Sequence, residues 1–404
     1  MRLPHLLAIT LTLLFTTLAA CDAPPPLPDR PAPTAAPIRC RPRCGAPVEQ
    51  APDAGGERPV VRGSPPDADA PLVAFTDAGD LAIIDAASGA ILGSAPGGGL
   101  HGPRDITLDP WGDRVVVFES DEDETGGEIT TYPLHATQIG PRAHLAWVDG
   151  RVRLAAAPFG IVVFEESYGT RWKMFWRDGS PTTSVAAPRP ASAWIDFSSG
   201  GAAVQALTYG DGAAPPALDL RRMDLQPGSF EAPAVIALAA SFGSLPPTAR
   251  MVRAPALGGD LLVDRGSSGM TLVLVSSLGA VMGSTSVDIL GPSSRVEAAT
   301  TLEGGRVVVV LTSNEPRLVA VRLGDGFEVI GAAALDLGAP VRVEDLFFSR
   351  DLRAIAPGRV LAATAAGVFA IDVTEGDLGV TLTLDSSFNG SGLRGPLDDP
   401  TPPS

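Results

Sequence analysis

Aromatic residues are scarce in this chain: Phe, Trp and Tyr together make 5% of 404 residues. Histidine occurs four times, which leaves little room for a His-rich metal centre. Lysine occurs once, at Lys173; the other basic residues are arginine. Positive charge is outweighed, with 30 basic against 46 acidic residues and a formal charge of −16. Such a surface repels phosphate backbones, so no nucleic-acid partner is expected. Long helical periodicity is also missing. The nearest candidate, Ala234 to Phe242, is short and apolar throughout. No Gly-x-Ser-x-Gly elbow occurs, and the Gly97-Gly98-Gly99 run leads into a strand pattern rather than a helix.

What is present is glycine (45), proline (39) and a 45% hydrophobic content, enough for a substantial core. Short apolar runs between Gly, Pro, Asp and Ser point to an all-β fold rich in turns.

The first twenty residues read as an export signal, with Arg2 as the positive start and Leu6 to Leu18 as the apolar stretch. That stretch is about thirteen residues, too short for a stable membrane span. It ends in Leu18-Ala19-Ala20-Cys21, which resembles the bacterial lipoprotein lipobox. The resemblance implies cleavage before Cys21 and acylation there, anchoring the chain to a bacterial membrane from the periplasm or the cell surface. Residues 21–70 are dense in proline and poor in apolar side chains, and read as an extended tether. Cys40 and Cys44 lie within it. Export to an oxidising compartment makes a local disulfide the default, with a redox pair or a metal site as alternatives.

Residues 71–388 read as the body. Pro103 to Glu119 forms its clearest unit, a strand ending at Asp109, a Pro110-Trp111-Gly112 turn, and a second strand through Val115 to Phe118. Three runs align as ends of first strands: Ile106 to Asp109, Ala146 to Asp149 and Ala193 to Asp196. Their spacings of roughly 40 and 47 residues suit four-stranded propeller blades. Leu81 to Gly89 and Val368 to Gly376 match as third strands. The expected fold is a β-propeller of seven four-stranded blades, the later ones beginning near Pro103, His144, Ser192, Arg250, Arg295 and Val343. The fourth blade carries an insertion over roughly 237–249. A pair of two-sheet sandwiches is the alternative. The first unit lacks its first strand, which Pro59 to Arg62 or the segment after Phe388 could supply. Residues 389–404 read as a polar tail that frays from Leu393.

Asp109-Pro110-Trp111-Gly112 with Val115 to Val117 resembles the repeat of YVTN-type bacterial propellers, with Trp111 replacing the usual Asp. Asp85 to Gly93 resembles the repeat of quinoprotein-like propellers, with Gly93 in place of a docking Trp. Both imply a propeller, and neither implies a cofactor; none is expected.

In a propeller, binding groups gather where second strands meet third strands and where outer strands meet the next blade. That face is expected to include Thr76 to Gly79, Gly97 to Pro103, Glu119 to Gly127, Asp211 to Pro215, Asp264 to Gly269 and Ser313 to Arg317. His101, Arg104, Glu119 and Asp121 are the candidate binding residues at the channel mouth. Asp121 to Glu124 is dense enough to suggest Ca²⁺, but adjacent carboxylates cannot all converge, so a solvated loop is the preferred reading and no metal is expected. In Arg171 to Arg177, alternation sets Trp172, Met174 and Trp176 on one face, which favours packing between blades over a stacking platform. The expectation is a membrane-anchored envelope lipoprotein whose propeller is a non-enzymatic scaffold for a protein or glycan. The alternative is an envelope hydrolase or lyase with its site at the channel mouth.

Overall fold

A computed structural model describes the chain from Leu72 to Asp398, with short breaks mostly at strand connections and longer ones at 210–217, 238–248 and 339–351. Cys21, Cys40, Cys44 and the tether therefore lie outside the described residues, as do His101, the turn at 110–112, the acids at 122–124 and most of the expected insertion.

Among the described residues the strands make seven antiparallel sheets. Sheet 2 runs from an inner strand Arg104–Leu108 through Arg114–Ser120 to Gly126–His135. Its outer position is shared by Gln138–Ile139 and Ala143–Asp149. Sheet 3 comprises Arg151–Ala157, Gly160–Glu166, Thr170–Phe175 and Val185–Ala186; sheet 4 comprises Pro190–Ser198, Gly201–Tyr209 and Leu218–Gln226, with Ser229–Phe230 and Ala234–Ala237 outside. Sheets 5, 6 and 7 begin at the inner strands Arg250–Ala254, Arg295–Leu302 and Leu352–Ala356. Each of these three then proceeds outward in chain order. Sheet 1 breaks that order. Leu72–Thr76, Leu81–Ile84 and Ile91–Ala95 are its second, third and outer strands, and its inner strand is Leu393–Asp398. Each inner strand touches the next, from sheet 1 through sheet 7 and back to sheet 1, so the sheets close into a ring.

The core lies in the seams between sheets. Val307–Ser313 shows why its strand is apolar almost without alternation. Val308 and Val310 join the seam with sheet 5, and Val307, Val309 and Leu311 join the seam with sheet 7. A strand buried on both faces needs apolar residues at every position, each contributing about 1.5–3 kcal/mol on burial. Trp172 is fully buried between sheets 3 and 4, Met174 is fully buried two residues on, and Trp176 lies outside the described residues; Phe164 meets Trp172 edge-on with ring centroids 5.2 Å apart.

Three expectations need correction. Ala146 to Asp149 does not end a first strand; it belongs to the outer strand of sheet 2, where Trp147 faces solvent, and sheet 3 begins at Arg151. The last sheet begins at Leu352 rather than near Val343. The body does not stop at 388, because Leu393–Asp398 is the closing strand and Leu393 is buried against Leu72, Ile84 and Val368. Pro396 falls where the register shifts between Arg394 and Asp398, an irregular stretch of an edge strand in which a missing N–H is tolerated. Three further contacts seat the segment: Asp77 N–H on Gly392 O at 2.8 Å, Asn389 N–H on Ser88 O at 2.8 Å and Arg394 Nε against Asp77 Oδ1 at 2.6 Å.

Candidate functional site

Antiparallel order fixes which loops share an end of the ring. The six segments expected at the binding face all join second to third strands, or an outer strand to the next sheet. At that end, second strands finish in buried polar residues: Glu119, Glu165, Thr208, Asp264, Ser313 and Thr364. Several of the described charged groups there are engaged within the protein. Lys173 pairs with Glu165. Neighbouring inner strands are tied together by side chains that reach the next main chain. Leu154 N–H donates to Asp105 Oδ2 at 2.7 Å, Arg250 Nε–H to Glu297 O at 2.9 Å and Thr301 Oγ–H to Arg253 O at 2.8 Å. Each of these bonds pairs one backbone group of an inner strand, the edge element of its sheet.

The richest cluster sits on the face of sheet 2 that packs on sheet 1. Cross-strand register sets Arg104 opposite Glu119, Glu119 opposite Glu128 and Glu128 opposite Trp147, a row across the whole sheet on one face. Arg142 Nη2 lies 2.6 Å from Glu128 Oε2 and 3.7 Å from Glu119 Oε2. His144 Nδ1 lies 2.8 Å from Glu128 Oε1, so both oxygens of Glu128 are held. Below the row, Tyr132 O–H donates to Pro96 O at 3.4 Å; burial, and then the nearby Glu119 carboxylate, push its pKa above the ordinary phenol value. Glu119 is 1% exposed, whereas the His144 side chain and Trp147 are each 58% exposed. The cluster thus has a sealed inner end and an open outer end. Gly97 closes the inner end: a β-carbon there would sit 2.1 Å from Gly79 O and 3.5 Å from Glu119 Oε1.

A β-bulge builds the open end. Trp147 and His144 are three residues apart, which in a regular strand would set them on opposite faces. The register shifts between Ile129 and Thr130, so that Trp147 faces Glu128 while His144 faces Thr130. Both side chains thereby reach the face of Glu128.

Of the four candidate residues, Glu119 forms the sealed inner end of this cluster, and Arg104 occupies the register position beside it. Asp121 has a different task. Its Oδ1 accepts the Thr125 N–H at 2.8 Å and the Gly126 N–H at 3.3 Å, and its Oδ2 accepts the Thr125 hydroxyl at 3.0 Å, so it shapes its own loop. His101 lies outside the described residues. Glu128, Arg142, His144 and Trp147 were missed as site residues. Glu128 was within reach of the sequence, since continuing the hairpin pairing from Glu119 across Gly126-Gly127 arrives at it. Arg142, His144 and Trp147 depend on the return past Gln138–Ile139 and on the bulge, neither of which leaves a sequence signal. Among the described residues no group of three His, Cys, Asp or Glu side chains is placed to hold a metal.

No family model and no curated protein matches the chain. Solved structures do match. A periplasmic gluconolactonase of Pseudomonas aeruginosa is 15% identical with a TM-score of 0.56, over 81% of this chain and 98% of that one. A protein from Lactobacillus plantarum is 12% identical with a TM-score of 0.55, over 80% and 98%. A putative 6-phosphogluconolactonase from Bacteroides fragilis is 10% identical with a TM-score of 0.54, over 82% and 98%. At these identities the likeness is one of fold, and the fold is a β-propeller.

Proposed function

We propose that this chain is an envelope lipoprotein, anchored through Cys21, whose propeller is a non-enzymatic binding scaffold. The observation that carries this reading is how the charged and polar groups at the loop-bearing end are used. Asp105 and Arg250 hold the main chain of adjacent sheets, Asp121 holds its own loop and Glu165 holds Lys173. Groups spent in this way make a rigid platform, which lowers the ordering cost of binding. The test is a pull-down from envelope extract with the full-length chain. Specific recovery of an envelope component is expected, and recovery of nothing above a control propeller would contradict it.

A second reading, an envelope hydrolase, is favoured by the His144–Glu128 pair, because a carboxylate that orients an imidazole is the usual arrangement of a general base. The gluconolactonase among the fold relatives makes a lactone the first substrate to try. Turnover of gluconolactone that His144→Ala abolishes would establish this reading; rates equal to the uncatalysed background would remove it.

A further inference from the structure

The geometry points to a saccharide subsite on sheet 2, formed by Trp147, His144, Arg142 and Glu128 with Glu119 behind them. The inference rests on the binding-scaffold reading and names the ligand class for it. Trp147 presents a flat apolar surface to solvent, and its indole lies along Gly126, whose β-carbon position is 3.5 Å from Nε1. Beside that surface stand hydrogen-bonding groups already held in place. Glu128 is gripped by Arg142 and His144, and the Nη2 of Arg142 makes both of its carboxylate contacts, so a ligand would meet the guanidinium through its other nitrogens.

An apolar plane flanked by fixed donors and acceptors matches a pyranose ring, which offers C–H bonds on its face and hydroxyls, each able to donate and accept, at its rim. Charge narrows the class. Two carboxylates meet one guanidinium and one imidazole, and Arg104 occupies the register position opposite Glu119, so the row carries little net charge. A strongly cationic or anionic ligand would find no matching field, whereas a neutral sugar needs none. β-Linked gluco-configured pyranosides fit best, because their equatorial substituents leave the ring face bare for Trp147.

Calorimetric titration of the full-length chain with cellotriose and with chitotriose tests this, with pentalysine as the cationic comparison. Binding of at least one trisaccharide at sub-millimolar to millimolar Kd is expected. Trp147→Ala should weaken it by about tenfold or more and Glu128→Gln by several fold, with Trp147→Phe retaining part of the affinity. Met282→Ala, on a different sheet, should leave it unchanged. Absence of heat with both sugars, full affinity in Trp147→Ala, or preferential binding of pentalysine would each overturn the subsite. The pull-down separates the failures. If it recovers a protein while both sugars give no heat, the scaffold stands and the saccharide falls; if neither gives a signal, both fall.

Discussion

Phe327 is the one described non-glycine residue with a left-handed backbone, at φ 65°. It stands in the turn between the third and outer strands of sheet 6, where Phe327 N–H donates to Gly324 O and Gly324 N–H to Glu328 O. The matching turn of sheet 5, Ser276 to Ala280, has the same two bonds and places Gly279 at that position with φ 77°. Phenylalanine is retained because its ring fills the seam against Gly283, where a β-carbon would come within 2.9 Å of Cδ1. Phe327→Ala should cost about 3–5 kcal/mol, and Phe327→Gly about 1 kcal/mol less because it loses the ring but also sheds the backbone strain. Urea unfolding of both variants measures the order. Asp385 gives a pH-dependent counterpart. Hydrogen bonds from Ser387, and then from Arg359, lower its pKa to about 2. Since the folded value lies below the unfolded one, the stabilisation is complete above about pH 4 and disappears as pH falls toward about 2. Wild type should therefore be more stable than Asp385→Asn at pH 5, and the gap should close near pH 2; a gap that is unchanged across that range contradicts the assignment.

The hairpin from Arg104 to Ser120 was legible because its turn carries its own determinant. Asp109 Oδ1 accepts the Asp113 N–H at 3.0 Å and the Arg114 N–H at 3.3 Å, while Oδ2 receives Arg114 Nε–H at 3.1 Å. Asp109→Ala should destabilise the protein by about 1–3 kcal/mol, and Asp109→Asn by less, because an amide oxygen can still accept the two backbone donors. Thermal unfolding of the two variants checks this. The strand Ala143–Asp149 was misread for an equally physical reason. Ala146-Trp147-Val148-Asp149 shows the same apolar pattern as a first strand, and only its partner, Gly126 to Thr131, reveals that it is an outer one. Single-strand patterns report burial on a face and say nothing of which neighbour supplies it. The extra residue of the bulge is silent in the same way, which is why the Glu119 end of the cluster was foreseen and the Trp147 end was not.

At the scale of the whole molecule, periodic apolar strands were enough to indicate a propeller, because sheets with two apolar faces must stack on one another. The closing contact was harder to read. Leu393–Asp398 is short, polar in part and contains Pro396, and resembles a loose end until the vacant inner position of sheet 1 is considered. The proposed anchorage by Cys21 predicts that Cys21→Ala moves the protein from the membrane fraction to the soluble fraction; unchanged fractionation would contradict it. The most direct measurement of ring closure is hydrogen exchange of the amides in Leu393–Asp398. A closed ring predicts protection there comparable with the paired strand Leu72–Thr76 and loss of both together on unfolding. Exchange of 393–398 at the rate of a free terminus, with Leu72–Thr76 still protected, would contradict it.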